Sequence, residues 1–150
     1  MELVEVTKKT KAEWLTQVVR LEKKSFSKSD SLGHHLVTEA MKPHNTLVLA
    51  MGIPDTAVYG YILFRRHGAE GHIDRIAVAE HQRRRGVGRL LLQSAIATLQ
   101  TKRAVKLVLE AETVNVGAIA LYESQGFEPT TIRLDYYKPG RHALLLELKL

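Results

Sequence analysis

The sequence predicts an α/β fold of the α+β type: one mixed, mostly antiparallel central sheet of about seven strands, flanked by about four helices. Two observations predict it. Strand-like apolar segments at 46–51, 58–64 and 72–78 are separated only by short turns, and strands spaced so closely form an antiparallel meander. A helical repeat over 87–99 then lies between the segment at 72–78 and another strand at 105–109. A helix that crosses over between two strands makes them parallel.

The other N-terminal elements follow from local patterns. Residues 3–6 alternate apolar and acidic side chains and suit a first strand. The segment Thr10–Glu13 has the spacing of a capping box, which predicts the start of a helix. Asp30 or Ser31 can cap a second helix that runs to about Met41. The apolar face of the first helix consists of Trp14, Leu15, Val18, Val19, Leu21 and Phe26.

The remaining elements are set by turn residues and by apolar repeats. Turns are predicted at 52–55, 67–71 and 135–142, a further helix at 115–125, and two final strands at 127–134 and 143–150. Gly126 is a natural stop for the last helix, because glycine adopts the left-handed conformation that closes helix ends.

Length and composition restrict the classes of function. A chain of 150 residues fits a single domain over 1–150, and the net charge of +6 favours anionic ligands. The absence of cysteine excludes disulfides, thiolate metal sites and cysteine nucleophiles, and no metal is expected. No apolar run reaches about 18 residues, so no membrane span is expected. The N-terminus lacks the features of a signal peptide, and a cytoplasmic protein is the default expectation.

The most informative stretch lies between the strand at 72–78 and the helix that follows it. It consists of Gln82, Arg83, Arg84, Arg85, Gly86, Val87 and Gly88. Glycine lets backbone amides approach a ligand closely, and the first amides of a helix have no partner within it. Together they favour an anion, most often phosphate. An ordinary solvated turn and a nucleic-acid contact remain alternatives, since neither a Walker loop nor the complete dinucleotide fingerprint is present.

Three blocks in order resemble the GNAT acetyltransferase superfamily. They are Arg83-x-x-Gly86-x-Gly88, then Leu109-Glu110, then Asn115-x-x-Ala118-x-x-Leu121-Tyr122-x-x-x-Gly126-Phe127. The last block, together with Tyr136-Tyr137 before Pro139-Gly140, is most similar to the RimI-type N-terminal acetyltransferases, which modify protein α-amino groups. The resemblance implies a GNAT-like fold and acetyl-CoA as the cofactor.

The resemblance also implies where acetyl-CoA would bind. The Arg83 motif would hold the pyrophosphate through the backbone amides of 84–88. Backbone groups of Ile76, Ala77 and Val78 would pair with the pantetheine arm, although Ile76 and Val78 also suit plain core packing. Asn115 resembles the family residue that contacts this arm. A helix N-cap is the alternative for Asn115.

Two residues match the catalytic positions of the family. Tyr122 would be the general acid, because a phenol can protonate the thiolate that an amine expels from a thioester. Its alternative is a tyrosine that packs on the sheet. Glu110 would be the base that takes a proton from the α-amine, with a solvated glutamate that competes with Glu112 as the alternative. His72 stands where some relatives carry a catalytic tyrosine and can share the base role, or be a surface histidine.

The resemblance gives less information about the residues that would bind the acceptor. Phe26, His72, Tyr136 and Tyr137 are candidate substrate-binding residues. Phe26 is followed by Ser27 where relatives often have proline, which leaves the peptide preference open.

These features predict an acetyl-CoA-dependent N-acetyltransferase that acts on peptide or protein N-termini by direct transfer in a ternary complex, since no cysteine exists to carry an acetyl group. A lysine side chain or a small amine is the alternative acceptor. A nucleic-acid-binding module is the rival of another class, and scattered charge with few aromatics disfavours it. Neither nucleic acid nor membrane is therefore expected as a partner, and the oligomeric state stays open.

Overall fold

The computed structural model describes residues 1–54 and 56–150, which contain seven strands, four α-helices and one short 3₁₀ helix. The elements are β1 (Glu2–Glu5), α1 (Ala12–Ser25), α2 (His35–Ala40), β2 (Asn45–Met51), β3 (Val58–His67), β4 (Glu70–Val78), the 3₁₀ helix (Glu80–Gln82), α3 (Val87–Thr101), β5 (Lys106–Glu112), α4 (Val116–Ser124), β6 (Glu128–Lys138) and β7 (Arg141–Lys149). The predicted mixed sheet with flanking helices is confirmed. The turn predicted at 52–55 includes Asp55, which lies outside the described residues.

The sheet has the strand order β1-β2-β3-β4-β5-β7-β6. The pairs β1–β2, β2–β3, β5–β7 and β6–β7 are antiparallel. The strands β4 and β5 are parallel, with Gly71 opposite Leu107 and His72 opposite Val108. The crossover prediction for these two strands is therefore correct.

The chain forms two compact units. The first, called here the N-terminal unit, comprises Met1–Arg65 and Asp74–Ala95, and the second, the C-terminal unit, comprises Arg66–Ile73 and Ile96–Leu150. Buried side chains in the N-terminal unit include Val18, Leu21, Leu36, Leu49 and Tyr61. Those in the C-terminal unit include Leu99, Leu107, Leu109, Phe127 and Leu146. That 1–150 is a single domain stays a prediction.

The capping box predicted at the start of α1 is wrong, and so is the assignment of Phe26 to the helix. The Oγ1 of Thr10 accepts a hydrogen bond from the Thr7 amide at 2.8 Å and closes a local turn, so it does not cap the helix. The helix is entered through Lys11, which makes no side-chain cap. At the other end Phe26 is extended, with φ −124° and ψ 150°, so it follows the helix and does not belong to its apolar face.

The second helix is shorter than predicted. The Oγ of Ser31 accepts from the Gly33 amide at 3.1 Å, and the Asp30 amide bonds to the Ser27 carbonyl at 3.0 Å. Neither residue caps a helix. Gly33 has φ +53°, a left-handed conformation that interrupts a right-handed helix. Helix α2 therefore begins only at His35.

The C-terminal strands are longer than predicted. Residues 135–142 were expected to form a connection, but β6 continues to Lys138 and only Pro139 and Gly140 lie between the two strands. The β6–β7 register shifts between Arg133 and Lys138, where Asp135 has φ +56°. Such an irregularity bends the strand and redirects side chains. Among the residues described, no helix is long and apolar enough to cross a membrane.

Candidate functional site

The glycine loop forms a helix N-terminus in the N-terminal unit. The bond from the Leu90 amide to the Gly86 carbonyl, at 3.0 Å, opens helix α3. The amides of 87–89 precede it and have no acceptor within the helix. Arg83, Arg84 and Arg85 are all exposed beside these amides, and the helix dipole adds a partial positive charge there. The loop therefore has the chemistry of a phosphate site.

The backbone of this loop depends on left-handed residues. Arg84 has φ +65° and Gly86 has φ +81°. A Cβ built on Gly86 would lie 3.5 Å from the Arg89 side chain, an ordinary contact. Conformation, and not space, is therefore what requires glycine at 86. The Nε of Arg83 donates to the Val78 carbonyl at 3.2 Å and ties the loop to the end of β4.

The residues predicted to hold the pantetheine arm form the last part of β4. Ala77 is buried, whereas Ile76 and Val78 are half-buried. Ala77 packs in the apolar core with Tyr61 and Leu63. Core packing, the alternative for Ile76 and Val78, is thus observed for their neighbour Ala77, whereas those two side chains are only half-buried.

In the C-terminal unit, His72 and Glu110 form a pair. The Nε2 of His72 and the Oε2 of Glu110 are 2.7 Å apart, and both side chains are largely buried. The strand register explains the contact. His72 lies opposite Val108, and Glu110, two residues further along β5, points to the same face as Val108 because side chains alternate along a strand.

Glu112, the competing carboxylate, is engaged elsewhere. Its two oxygens accept hydrogen bonds from Nε and Nη2 of Arg141 at 2.9 and 2.8 Å. A bidentate pair with a permanently charged guanidinium stabilises the carboxylate in its ionised form. The partner of Glu110 is an imidazole, which can be neutral at physiological pH. Glu112 is therefore held by a guanidinium, and Glu110 by an imidazole.

Tyr122 is buried in helix α4 and is only 6% exposed. Its ring meets that of Phe127 edge to face, with centroids 6.0 Å apart. Burial, with a smaller contribution from the nearby Tyr137, raises the pKa of Tyr122 to about 12. The phenol consequently keeps its proton at neutral pH and is a hydrogen-bond donor.

Tyr137 interacts electrostatically with Tyr122, Glu110 and Glu112. Burial, together with smaller contributions from Tyr136 and the carboxylates of Glu110 and Glu112, raises the pKa of its hydroxyl to about 12. Arg141 opposes the shift and has its guanidinium 5.2 Å from the centre of the Tyr137 ring. Of the predicted acceptor-side residues, His72 and Tyr137 thus lie with Glu110 in one unit. Tyr136 stands edge to face with Tyr137 and is 44% exposed.

Asn115 caps helix α4. Its Oδ1 accepts from the Ala118 amide at 3.2 Å, so the alternative that the sequence left open for this residue is observed. A further contact is compatible with the cap, since the side-chain amide nitrogen Nδ2 is a separate donor.

Phe26, the remaining predicted residue, lies in the N-terminal unit beneath the guanidinium of Arg75, which is 4.4 Å from the ring centre. Sequence reasoning missed Arg75 and its partner Glu22, which is completely buried. A signal was present for each. Glu22 interrupts the apolar repeat of α1, and Arg75 stands between Ile73 and Ala77 in the alternation of β4.

Comparison with known proteins identifies relatives along most of the chain. Residues 15–127 match the model of the acetyltransferase (GNAT) family. A [ribosomal protein bS18]-alanine N-acetyltransferase of Salmonella typhimurium is 48% identical over 68 residues, which are 45% of this chain and 46% of that protein. This chain therefore matches about half the length of that relative. An N-alpha-acetyltransferase of Saccharolobus solfataricus is 26% identical over 145 residues, covering 88% of this chain and 85% of that protein.

Among solved structures, a chain of the NatC complex bound to Gag peptide and CoA superposes with a TM-score of 0.81. The match covers 100% of this chain and 99% of the other, at 23% identity. At this level of sequence identity, the structural likeness shows only that the two chains share a fold.

Proposed function

The chain belongs to the acetyltransferase (GNAT) family, and from that membership we propose that it transfers the acetyl group of acetyl-CoA to the free α-amino group of peptide or protein N-termini. The observation that carries the proposal is the contact of 2.7 Å between His72 Nε2 and Glu110 Oε2, in the same unit as the buried phenol of Tyr122. This pair supplies a proton acceptor, and the phenol a proton donor. The names of the Salmonella and Saccharolobus relatives support an α-amine as the acceptor.

Acetyl-CoA would supply an acetyl group activated as a thioester. The residues that fit it are the amides at the start of α3, the arginines Arg83 to Arg85, and the backbone of Ile76 to Val78. The left-handed turn at Gly86 suits a backbone that closely approaches a pyrophosphate. The Oδ1 of Asn115 is used by the helix cap, so a contact with the pantetheine arm would be made by its Nδ2.

The work assigned to Glu110 is removal of a proton from the acceptor. An α-ammonium group has a pKa of roughly 8 and cannot attack until it loses a proton. The carboxylate of Glu110 would take that proton directly or through one water molecule. With its proton on Nε2, the ring of His72 would donate to the carboxylate and hold its orientation, and the unprotonated Nδ1 would offer a second site for a proton.

The work assigned to Tyr122 is donation of a proton to the leaving sulfur. Its pKa of about 12 keeps the hydroxyl protonated, and its contact with Phe127 fixes the ring. Since the chain has no cysteine, the acetyl group would pass to the amine directly.

The proposal also covers the cellular location and the binding partners of the protein. The location that we propose is cytoplasmic, and the name of the Salmonella relative, which refers to a ribosomal protein, supports it. The acceptor side is assigned to Phe26, His72, Tyr136 and Tyr137. We assign no role in nucleic-acid or membrane binding.

The experiment is a comparison of two peptides that differ only in which amine is free. One has a free α-amino group and no lysine, and the other has a blocked N-terminus and one lysine. Transfer from acetyl-CoA is followed by release of the thiol, and the acetylated position is found by mass spectrometry. Transfer to the first peptide alone is expected. Transfer only to lysine, or only to a small polyamine offered in parallel, would reject the α-amine assignment.

A further inference from the structure

The segment between helices α1 and α2, residues 26–34 and called here the acceptor loop, has little regular structure of its own. It is folded by two local turns, with the Ser31 amide bonded to the Ser27 carbonyl at 2.8 Å and the Leu36 amide bonded to the Gly33 carbonyl at 3.2 Å. It contains no proline, whose ring would restrict the backbone further. Contacts with the rest of the N-terminal unit add to these local turns.

Arg75, on β4, makes two of those contacts. Its Nη2 donates to the Asp30 carbonyl, and its guanidinium lies over the Phe26 ring at 4.4 Å from the centre. A planar guanidinium can donate in its plane while its face stacks on an aromatic ring. One side chain thus holds the loop near its start and near its middle.

Glu22, on α1, makes a third contact and connects it with Arg75. The Oε2 of Glu22 accepts from the Leu32 amide at 2.8 Å, and its Oε1 accepts from the Tyr61 hydroxyl at 2.7 Å. The Nε of Arg75 is 3.6 Å from that same Oε1. Burial and the charge of Glu22 together raise the pKa of Tyr61, so its hydroxyl remains a donor. A buried carboxylate needs a positive charge nearby, and Arg75 provides it.

Arg75 immediately precedes Ile76, the first of the strand residues assigned to the acetyl-CoA arm. The same strand therefore carries the proposed donor-binding backbone and the residue that fastens the acceptor loop. We propose that Arg75 is a positioning residue that holds the acceptor loop in its peptide-binding conformation. This rests on the proposed function, since that function assigns the loop to the acceptor.

The substitution Arg75→Lys separates the positive charge of the arginine from the planar geometry of its guanidinium. Lysine keeps a positive charge for Glu22, but it lacks the planar face and the second donor group. The matched control is Arg65→Lys, because Arg65 carries the same charge and pairs with Asp74 in the same unit. For Arg75→Lys we expect the KM for a peptide with a free N-terminus to rise by roughly tenfold, the scale of one lost charge-assisted hydrogen bond. The kcat and the Kd for acetyl-CoA should stay unchanged.

Hydrogen exchange gives a readout that needs no activity. In Arg75→Lys the amides of 27–32 should exchange faster than in the wild type, while in Arg65→Lys they should not. An unchanged peptide KM in a wild type that is active, or unchanged exchange in the loop, would overturn the role of Arg75. A variant that fails to fold would also overturn the role of Arg75. The proposal holds that a positive charge, which lysine retains, is enough to stabilise the buried carboxylate of Glu22. If the wild type acetylates no N-terminal peptide, the proposed function fails, and exchange alone then decides whether Arg75 holds the loop.

Discussion

The side chains of His72 and Glu110 lie on neighbouring parallel strands, and their Nε2 and Oε2 atoms are 2.7 Å apart. Two residues further along β5, Glu112 binds Arg141 through both of its oxygens. The two carboxylates point to the same face of the strand and yet have different partners. One is paired with an imidazole that can exchange protons near neutral pH, and the other with a guanidinium that cannot.

Replacing Glu110 with glutamine should lower kcat/KM on a peptide with a free N-terminus, most strongly at low pH. Glutamine keeps the size of the side chain and removes the proton acceptor. Raising the pH should partly restore activity, because an α-amine with a pKa of roughly 8 loses its proton to solvent. The measurement is kcat/KM from pH 6.5 to 9.5, with Glu112→Gln as the matched variant.

The control should lose activity without recovering it at high pH, since its effect comes from leaving Arg141 without its carboxylate partner. A loss in Glu110→Gln that is equal at every pH would mean that Glu110 is structural. His72 would then be the next residue to test as the base.

Replacing Tyr122 with phenylalanine should lower kcat by about 10²–10⁴-fold, the usual weight of general acid catalysis. The ring and its contact with Phe127 are retained, so the Kd for acetyl-CoA should not change. The pKa of Tyr122 is about 12, so the wild-type phenol stays protonated up to pH 9.5 and its ionisation causes no loss of activity in that range. Full activity in Tyr122→Phe would show that the hydroxyl is not the acid.

Replacing Gly86 with alanine should weaken the binding of acetyl-CoA. A residue with a Cβ is strained at φ +81° by about 1–2 kcal/mol, and the loop would relax away from the conformation that aims the amides. The matched control is Gly68→Ala in the β3–β4 turn, where φ is +61° and nothing lies within 4 Å of the added Cβ.

Both glycine variants should lose similar stability, and only Gly86→Ala should lose the increase in Tm that acetyl-CoA gives the wild type. That increase reflects about 2.7 kcal/mol when the ligand is at 100 times its Kd. Equal ligand responses in the two variants would place the phosphate site outside the loop.

The two roles of Asn115 can be separated by a pair of substitutions. Asn115→Ala removes the cap oxygen and should cost about 1 kcal/mol of stability. Asn115→Ser keeps an oxygen that can accept from the Ala118 amide but removes the Nδ2 donor. We expect the serine variant to have nearly wild-type stability and weaker binding of acetyl-CoA, measured by calorimetry. Wild-type affinity in the serine variant would leave the helix cap as the whole role of Asn115.

Local patterns predicted most of the secondary structure, and they were wrong where a side chain had a second local partner available. Thr10 has the spacing of a cap, yet its hydroxyl oxygen closes a turn with Thr7. Ser31 could have capped a helix but bonds to Gly33. The strand β6 was predicted too short, because Asp135 and the residues around it have turn composition, whereas the strand continues through them to Lys138, which pairs with Arg141.

The sequence by itself determined most of the elements and the glycine loop at the start of α3, because periodicity and glycine conformation are local properties, whereas the candidate acid–base residues came from the resemblance to a family. Only the tertiary structure decided the partners. His72 meets Glu110 across 38 positions of sequence, and Arg75 meets Asp30 across 45. These contacts depend on strand register and on where loops close, which no short pattern encodes. The proposed preference for Glu110 over Glu112, and the proposed role of Arg75 in holding the acceptor loop, therefore rest on contacts that exist only in the folded chain.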